Sequence, residues 1–167
     1  MNWAYLLLGS NKGKREKYLS QVIEQIEKNV GKIISKSSVY STSAWGNKNQ
    51  NDFLNQAVRV ETNFSAEELL KKILSIEKKL GRKRIKKWEA RIIDIDILFF
   101  GNEIINSKTL TVPHPHLHER KFALVPLSEI ANDFIHPVLK KSVKQLLYKC
   151  QDKLMVKKAS ALHTDNR

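Results

Sequence analysis

The order of apolar segments restricts the possible folds more than any other feature of this chain. Between residues 5 and 100, the segments follow in the order strand, helix, strand, strand, helix, strand. This order is typical of the split βαβ, or ferredoxin-like, arrangement, in which a hairpin lies between two crossover units. We therefore predict an α/β (α+β) fold with a βαββαβ core, a mostly antiparallel sheet and helices packed on that sheet.

The boundaries of the elements follow from local patterns. Residues 5–8 form a short apolar run that stops at Gly9, and residues 18–26 repeat apolar side chains at helical spacing. Further strands are predicted over residues 33–40, 53–61 and 92–100. Ser65 and Glu68 fit a capping box that begins a second helix, which ends at Gly81. All four prolines lie between residues 113 and 137, so residues 102–139 are expected to form short helices and loops.

Length and charge favour one domain with a basic tail. A chain of 167 residues with 41% hydrophobic residues is long enough for one compact core, and two cores would be cramped. We expect a single domain over residues 1–167, in which about residues 140–167 form a basic helical extension or a frayed tail. The net charge of +13 would attract nucleic acid, anionic lipid or nucleotide, although a basic run is more often a solvated surface.

Cysteine content and apolar run lengths indicate the compartment. The single cysteine, Cys150, cannot form an intramolecular disulfide, which fits a reducing compartment. The apolar run over residues 3–8 lacks a basic region before it and is too short for a signal sequence. No other segment approaches the ~18 apolar residues of a membrane span. We therefore expect a cytoplasmic protein with no membrane association.

Two aspartates stand inside a strand that otherwise looks like core. Asp94 and Asp96 alternate with Ile93, Ile95 and Ile97, and residues two apart in a strand point to the same face. Two carboxylates on one face repel each other unless a cation or an arginine lies between them. They could bind one or two hard divalent cations. The alternative is a solvent-facing edge strand whose aspartates pair with Lys or Arg.

A basic segment over residues 82–91 comes directly before that strand. Its arginines, Arg82, Arg84 and Arg91, could bind phosphate oxygens in a bidentate manner. Cations beside convergent arginines suit phosphoryl transfer, and no Walker motif is present, so any nucleotide is held without a P-loop. A nucleic-acid surface or a solvated patch is the alternative.

Three histidines lie within the five residues from His114 to His118. This spacing, with two prolines and no cysteine nearby, is not an established zinc pattern. Imidazoles that act with Arg120 beside a triphosphate explain the segment better, and ordinary turn histidines remain possible. Earlier in the chain, Trp45, Phe53 and Asn55 combine flat apolar faces with an amide, which suits a flat polar heterocycle. Aromatic residues that only anchor the core or a loop are the alternative.

Six ordered segments resemble one enzyme family, the 6-hydroxymethyl-7,8-dihydropterin pyrophosphokinases of folate biosynthesis. The strongest are R-x-x-D-x-D-x-L, which begins at Arg91, and P-H-P-x-x-x-x-R, which ends at Arg120. The resemblance runs from residue 4 to about residue 137, and its segments are LGSN (8–11), SVYST (38–42), QNDFLN (50–55), IEKKLGR (76–82), WEARIIDIDIL (88–98) and PHPHLHERKF (113–122).

The resemblance implies an activity and a site. The activity is transfer of pyrophosphate from ATP to the pterin hydroxymethyl group, with release of AMP. Asp94 and Asp96 match the positions that hold Mg²⁺, with two ions expected, and Arg82 and Arg91 match catalytic positions near the transferring phosphates. The remaining matches on the ATP side are Arg84, Trp88, Ile97, His114 and Arg120. The matches on the pterin side are Thr42, Trp45, Phe53, Asn55 and Phe122.

The partners expected from this interpretation are small molecules, and we expect a monomer. The rival hypothesis is an RNA-binding module, since a ferredoxin-like sheet with a net charge of +13 and exposed aromatic residues would resemble one. The chain lacks the aromatic RNP signature on a central strand. Two aspartates on the binding strand would also repel phosphate unless cations intervene. We therefore expect no nucleic-acid partner.

Overall fold

A computed structural model of the chain describes residues 1–43, 52–81 and 92–159. The helices of these ranges are α1 (Arg15–Asn29), α2 (Ala66–Lys79), α3 (Lys121–Ala131) and α4 (Val143–Lys149), with a 3₁₀ turn at Leu117–Glu119. The strands are β1 (Asn2–Ser10), β2 (Lys32–Lys36), β3 (Tyr40–Thr42), β4 (Phe53–Thr62), β5 (Asp94–Phe100), β6 (Ile105–Asn106), β7 (Thr111–Val112) and β8 (Val156–Lys158).

The main sheet confirms the predicted strand arrangement. Its order is β5-β1-β4-β3-β8, β2 also pairs with β4, and every pairing between the described strands is antiparallel. The first and third predicted strands, which are β1 and β4, are thus central. The fourth, β5, lies beside β1, and the second, which covers β2 and β3, lies beside β4. Residues 4–10 of β1 are buried throughout, because helices cover both faces of the sheet.

Alternate residues of β1 belong to two separate cores. Leu6 and Leu8 point to the face covered by α1 and α2, where they join Val22 and Ile73 in one apolar cluster. Tyr5 and Leu7 belong to a second cluster on the other face, which includes residues of α3 and α4. Helices are packed on the sheet, as predicted, and α3 and α4 add a third layer on its other face.

Capping boxes begin two of the helices. The Ser65 hydroxyl accepts from the backbone N–H of Glu68, and the Glu68 carboxylate accepts from the N–H of Ser65, as predicted for α2. Ser142 and Gln145 make the same reciprocal pair before α4. The predicted helix near residues 142–149 is confirmed as α4. Ser142 stabilises its start, because it satisfies an N–H group of the first turn that has no partner within the helix.

The strand predicted over residues 33–40 is wrong in its extent, because the chain forms two strands there, β2 and β3. Ser37 lies between them and causes the break. Its N–H donates to the carbonyl of Ala57 at 2.8 Å, while its hydroxyl accepts from the N–H of Ala57 at 2.9 Å. A side chain thus takes the place of a backbone acceptor in the ladder, and regular pairing with β4 stops.

The region after residue 100 is more regular than predicted. It contains the β6–β7 hairpin and an 11-residue helix, α3, which includes Pro126. The expectation of a helical or frayed tail is wrong for Val156–Lys158, because these residues form β8 and pair with β3 at the edge of the sheet. Residues 160–167 lie outside the described residues.

Candidate functional site

The two aspartates lie on β5, the outermost strand on one side of the sheet. Asp94 is opposite Gly9 of β1 and Asp96 is opposite Leu7. Both aspartates are half-buried, whereas Ile95 between them is buried. The strand therefore holds two carboxylates at a distance of two residues, with the isoleucines fixed in the core.

A cavity of about 250 Å³ opens beside these aspartates. Leu70 and Leu74 of α2 form an apolar wall, and Ile97 adds to the lining from β5. Asp94, Asp96 and His114 add polar groups to the same cavity. An apolar wall beside a cluster of polar groups is typical of small-molecule sites and suits a ligand with a flat base and a charged chain.

Glu77 of α2 also lines this cavity, and sequence reasoning assigned it no role. Its side chain is 3% exposed, and its carboxylate accepts from the N–H of Ile95 at 3.1 Å. The contact supports the open edge of β5 between the two aspartates. The sequence held a signal, because position 77 lies four residues after Ile73 and three before Leu80, on the apolar face of α2. A buried carboxylate there requires a partner.

His114 is held beside Asp94 by backbone contacts. Its N–H donates to the carbonyl of Leu98 at 3.0 Å, and its Nδ1 accepts from the N–H of His116 at 3.2 Å. Burial, followed by the charges of Arg120 and His116, lowers the pKa of His114 to about 4, although Asp94 opposes the shift. At neutral pH the ring is therefore neutral, with its proton on Nε2. It offers one N–H donor to a ligand oxygen.

The other two histidines of this segment contact Glu119. His116 Nδ1 lies 3.1 Å and His118 Nε2 3.6 Å from the Glu119 carboxylate. His116 lowers the pKa of Glu119 by a hydrogen bond. Across residues 1–43, 52–81 and 92–159, no group of three His, Cys, Asp or Glu side chains is placed to hold a metal ion. This arrangement gives no support to a zinc site in the described segment.

Arg120 and Phe122 lie at the beginning of α3. The Arg120 guanidinium is 5.7 Å from the centre of the Phe122 ring, and it is close enough to His114 to lower the pKa of that histidine. Phe122 packs against the core on the α3 face. A cation and an aromatic ring are thus presented by one turn.

Three residues predicted for the pterin side come together through strand register. Thr42 of β3 is opposite Phe53 of β4, and Asn55 follows two residues later on β4. Thr42 and Asn55 are each 4% exposed. Asn55 is also opposite Gly9, where a Cβ would lie 2.7 Å from the Asn55 Oδ1, so glycine at position 9 leaves room for the carboxamide.

Two hydroxyls at this end of the sheet are buried without a partner. Within the described ranges, the hydroxyls of Ser10 and Thr42 have no hydrogen-bond partner. A buried hydroxyl without a partner costs about 1–3 kcal/mol, so such groups mark a place where a ligand could bind. Ser10 is the last residue of β1 and lies opposite Leu54, so it belongs to the α1/α2 face, whereas Thr42 belongs to the other face with Asn55.

Five predicted site residues lie outside the described residues, namely Trp45, Arg82, Arg84, Trp88 and Arg91. The described residues bring Asp94, Asp96, Ile97 and His114 to one cavity. They bring Thr42, Phe53 and Asn55 together on β3 and β4. In the part of the chain that the structure describes, no helix is long and apolar enough to cross a membrane.

Known proteins resemble this chain in sequence and in structure. The pyrophosphokinase of Aquifex aeolicus (strain VF5), named for 2-amino-4-hydroxy-6-hydroxymethyldihydropteridine, is 45% identical over 145 residues, which cover 87% of this chain and 90% of that protein. The enzyme of the same name from Bacillus subtilis (strain 168) is 44% identical over 130 residues, which cover 77% of this chain and 78% of that protein.

The fold is also found in a crystal structure of Plasmodium falciparum HPPK-DHPS with SDX-DHP, with a TM-score of 0.72 at 21% identity. That match covers 89% of this chain and 43% of the longer Plasmodium chain, and it supports the fold alone. The family model described as 7,8-dihydro-6-hydroxymethylpterin-pyrophosphokinase (HPPK) matches residues 5–132. The resemblance stated from the sequence is therefore confirmed: this chain belongs to the HPPK family.

Proposed function

We propose that this chain transfers the pyrophosphoryl group of ATP to the hydroxymethyl group of 6-hydroxymethyl-7,8-dihydropterin and releases AMP, as expected for a pyrophosphokinase of its family. The observation that carries the proposal is the position of Asn55 and Asp94. They lie opposite the same residue, Gly9, on the two strands that flank β1. A pterin held by Asn55 and a phosphate chain held near Asp94 would therefore meet at one end of β1.

For ATP, the cavity beside α2 offers the matching chemistry. Its apolar wall of Leu70, Leu74 and Ile97 suits the adenine ring, and the neutral His114 can donate from Nε2 to a phosphate oxygen. Arg120 adds a positive charge near His114. Arg84 and Trp88 are proposed for the same substrate from their sequence positions, with Arg82 and Arg91 nearest the transferring phosphates.

For the pterin, β3 and β4 offer polar groups and rings. The unpartnered hydroxyl of Thr42 and the carboxamide of Asn55, which lie on the same face of the sheet, can pair with the ring nitrogens and the amino group of the heterocycle. Phe53 provides an aromatic face on β4. Trp45 and Phe122 are proposed to stack on the two faces of the pterin, in agreement with their sequence positions.

For metal ions, Asp94 and Asp96 are the proposed ligands of two Mg²⁺. The donor set fits, since hard divalent cations prefer carboxylate and phosphate oxygens. Two half-buried carboxylates two residues apart on one strand also favour a cation between them. When bound, Mg²⁺ would neutralise phosphate charge and lower the pKa of the substrate hydroxyl. The protein residues then have the task of orientation, because phosphoryl transfer depends mainly on position and charge.

The test is an incubation of the full chain with ATP, Mg²⁺ and the hydroxymethyl dihydropterin. The expected nucleotide product is AMP, formed in equal amount to the pyrophosphorylated pterin. Formation of ADP would indicate an ordinary kinase and would contradict the proposal. Two control reactions, one without pterin and one with excess EDTA, should give no AMP.

We also propose that the chain acts as a monomer in the cytoplasm and without nucleic acid. A light-scattering mass near 19.3 kDa is expected during size-exclusion chromatography. RNA binding that falls steeply with salt, in a chain that makes no AMP, would favour the rival hypothesis instead.

A further inference from the structure

The segment after α4 contacts two separate parts of the proposed pterin site. We call residues 152–159 the C-terminal strap. At its beginning, Asp152 accepts from the N–H of Lys121 at 3.1 Å through one carboxylate oxygen, and from the N–H of Leu154 at 3.0 Å through the other. Lys121 is the first residue of α3 and lies between Arg120 and Phe122. Asp152 therefore ties the strap to the turn that presents Phe122.

The other end of the strap forms β8 beside β3. Val156 is opposite Thr42, and Lys158 is opposite Tyr40. The N–H of Ala159 donates to the carbonyl of Val39 at 2.8 Å, which extends the ladder by one residue. Thr42 therefore lies on a strand with a neighbour on each side, β4 and β8.

The length of β3 makes this second neighbour important. β3 has three residues, and the break at Ser37 separates it from β2. A strand this short makes few hydrogen bonds to one neighbour, so a second neighbour adds a large share of what holds it in place. Glu129 of α3 adds contacts from another direction, since its carboxylate accepts from Ser38 Oγ at 2.8 Å and from Tyr40 Oη at 2.5 Å.

We propose that the C-terminal strap positions Thr42 and Phe122 for the pterin, and that its residues are positioning residues that do not touch either substrate. The inference rests on the proposed function, because it takes Thr42 and Phe122 as pterin residues. The sheet order puts β8 at the end opposite β5, which carries Asp94 and Asp96. A change in β8 should therefore alter pterin binding and leave the ATP cavity unchanged.

The sharpest test compares two substitutions at Lys157. In an antiparallel strand, every second residue directs its backbone N–H to the same neighbouring strand. Since the N–H of Ala159 points to β3, the N–H of Lys157 does so too. The Lys157 side chain is exposed. Lys157→Pro removes this donor and disfavours pairing, whereas Lys157→Ala removes the same charge and keeps the donor.

Lys157→Pro is expected to raise the KM for the hydroxymethyl dihydropterin at least fivefold and to change the KM for ATP less than twofold. Lys157→Ala should stay within twofold of the unmodified chain for both substrates. An unchanged pterin KM in Lys157→Pro would overturn the inference, and so would an equal rise in both KM values. If Lys157→Pro does not fold, Ala159→Pro removes the last bond of the ladder, and a rise in pterin KM of at least twofold is then required.

The two proposals fail in different ways. An unmodified chain that makes no AMP contradicts the proposed function. An active unmodified chain whose proline variants behave like Lys157→Ala contradicts the role of the strap and leaves the proposed function intact.

Discussion

Asn55 and Asp94 lie opposite the same residue, Gly9, on the two strands that flank β1. Gly9 has no side chain to separate them, and a Cβ there would lie 2.7 Å from Asn55 Oδ1. The proposed function assigns these two neighbouring residues to different substrates. Substitutions at each should have separable effects.

Asp94→Ala and Asp96→Ala should each abolish AMP formation while the chain stays folded. Loss of one carboxylate removes a proposed metal ligand, while the buried isoleucines at 93, 95 and 97 still fix the strand in the core. Activity assays and thermal unfolding with and without Mg²⁺ measure the two effects. Full turnover in Asp94→Ala would refute the metal role.

Asn55→Ala serves as the matched control for those variants. It should weaken pterin binding, because it removes the buried carboxamide on the pterin side, and it should leave the Mg²⁺ dependence of the residual activity unchanged. A titration with the pterin in the presence of a non-hydrolysable ATP analogue measures the loss. An equal loss of pterin affinity in Asp94→Ala and Asn55→Ala would contradict the assignment of these two residues to different substrates.

Glu77→Ala should destabilise the chain by about 1–3 kcal/mol, the range for a buried hydrogen-bonding group that loses its partner. The N–H of Ile95 loses the carboxylate that accepts from it, and β5 loses support at its open edge. The Mg²⁺ concentration for half-maximal activity should rise as well. Glu77→Gln keeps an acceptor oxygen and should lie between Glu77→Ala and the unmodified chain. Denaturant unfolding that is the same in all three proteins would contradict the contact's importance.

The lowered pKa of His114 predicts a stability change with pH. The pKa is about 4 in the folded chain against an ordinary value of 6.5, so below about pH 6.5 the unfolded chain binds a proton that the folded chain does not. Stability should therefore fall as pH falls from 6.5 to 4. The part due to His114 is at most about 4 kcal/mol, since one pKa unit is worth about 1.4 kcal/mol.

The glutamine in the variant His114→Gln does not titrate between pH 6.5 and 4. The free energy of unfolding of this variant should therefore decline less over that range than that of the unmodified chain. Burial also lowers the pKa of His136, so the unmodified chain and the variant must be compared directly. Parallel stability curves for the two proteins would contradict the assignment.

Arg91→Ala tests a residue chosen from the sequence alone. It should reduce AMP formation by about tenfold to a hundredfold, which corresponds to about 1.4–3 kcal/mol of lost transition-state stabilisation, and it should leave thermal stability nearly unchanged. Lys87→Ala, which removes one charge from the same basic segment, is the control and should retain most of the activity. A collapse of stability with normal turnover per folded molecule would make Arg91 structural.

Local patterns in the sequence were sufficient to predict most of the fold. A short apolar run predicted β1, and alternating apolar residues predicted β4 and β5, because a residue's face in a strand depends only on its position in the chain. The Ser65 capping box predicted the start of α2 for a similar reason, since its hydrogen bonds join residues three apart. The aspartates at positions 94 and 96 could be selected because carboxylates are unusual in a core strand.

Contacts between distant residues decided the rest. Ser37 ends β2 through Ala57, Glu77 supports β5 through Ile95, and β8 forms only because β3 offers an unpaired edge. Nothing in the local sequence of residues 156–158 distinguishes that strand from a solvated tail, since its stability comes from a partner more than a hundred residues away. The sequence by itself was sufficient to propose which residues carry the chemistry, because those residue types stand out in their local pattern. Tertiary structure decided which residues hold them in place, because hydrogen bonds across the sheet depend on spatial neighbours and not on chain order.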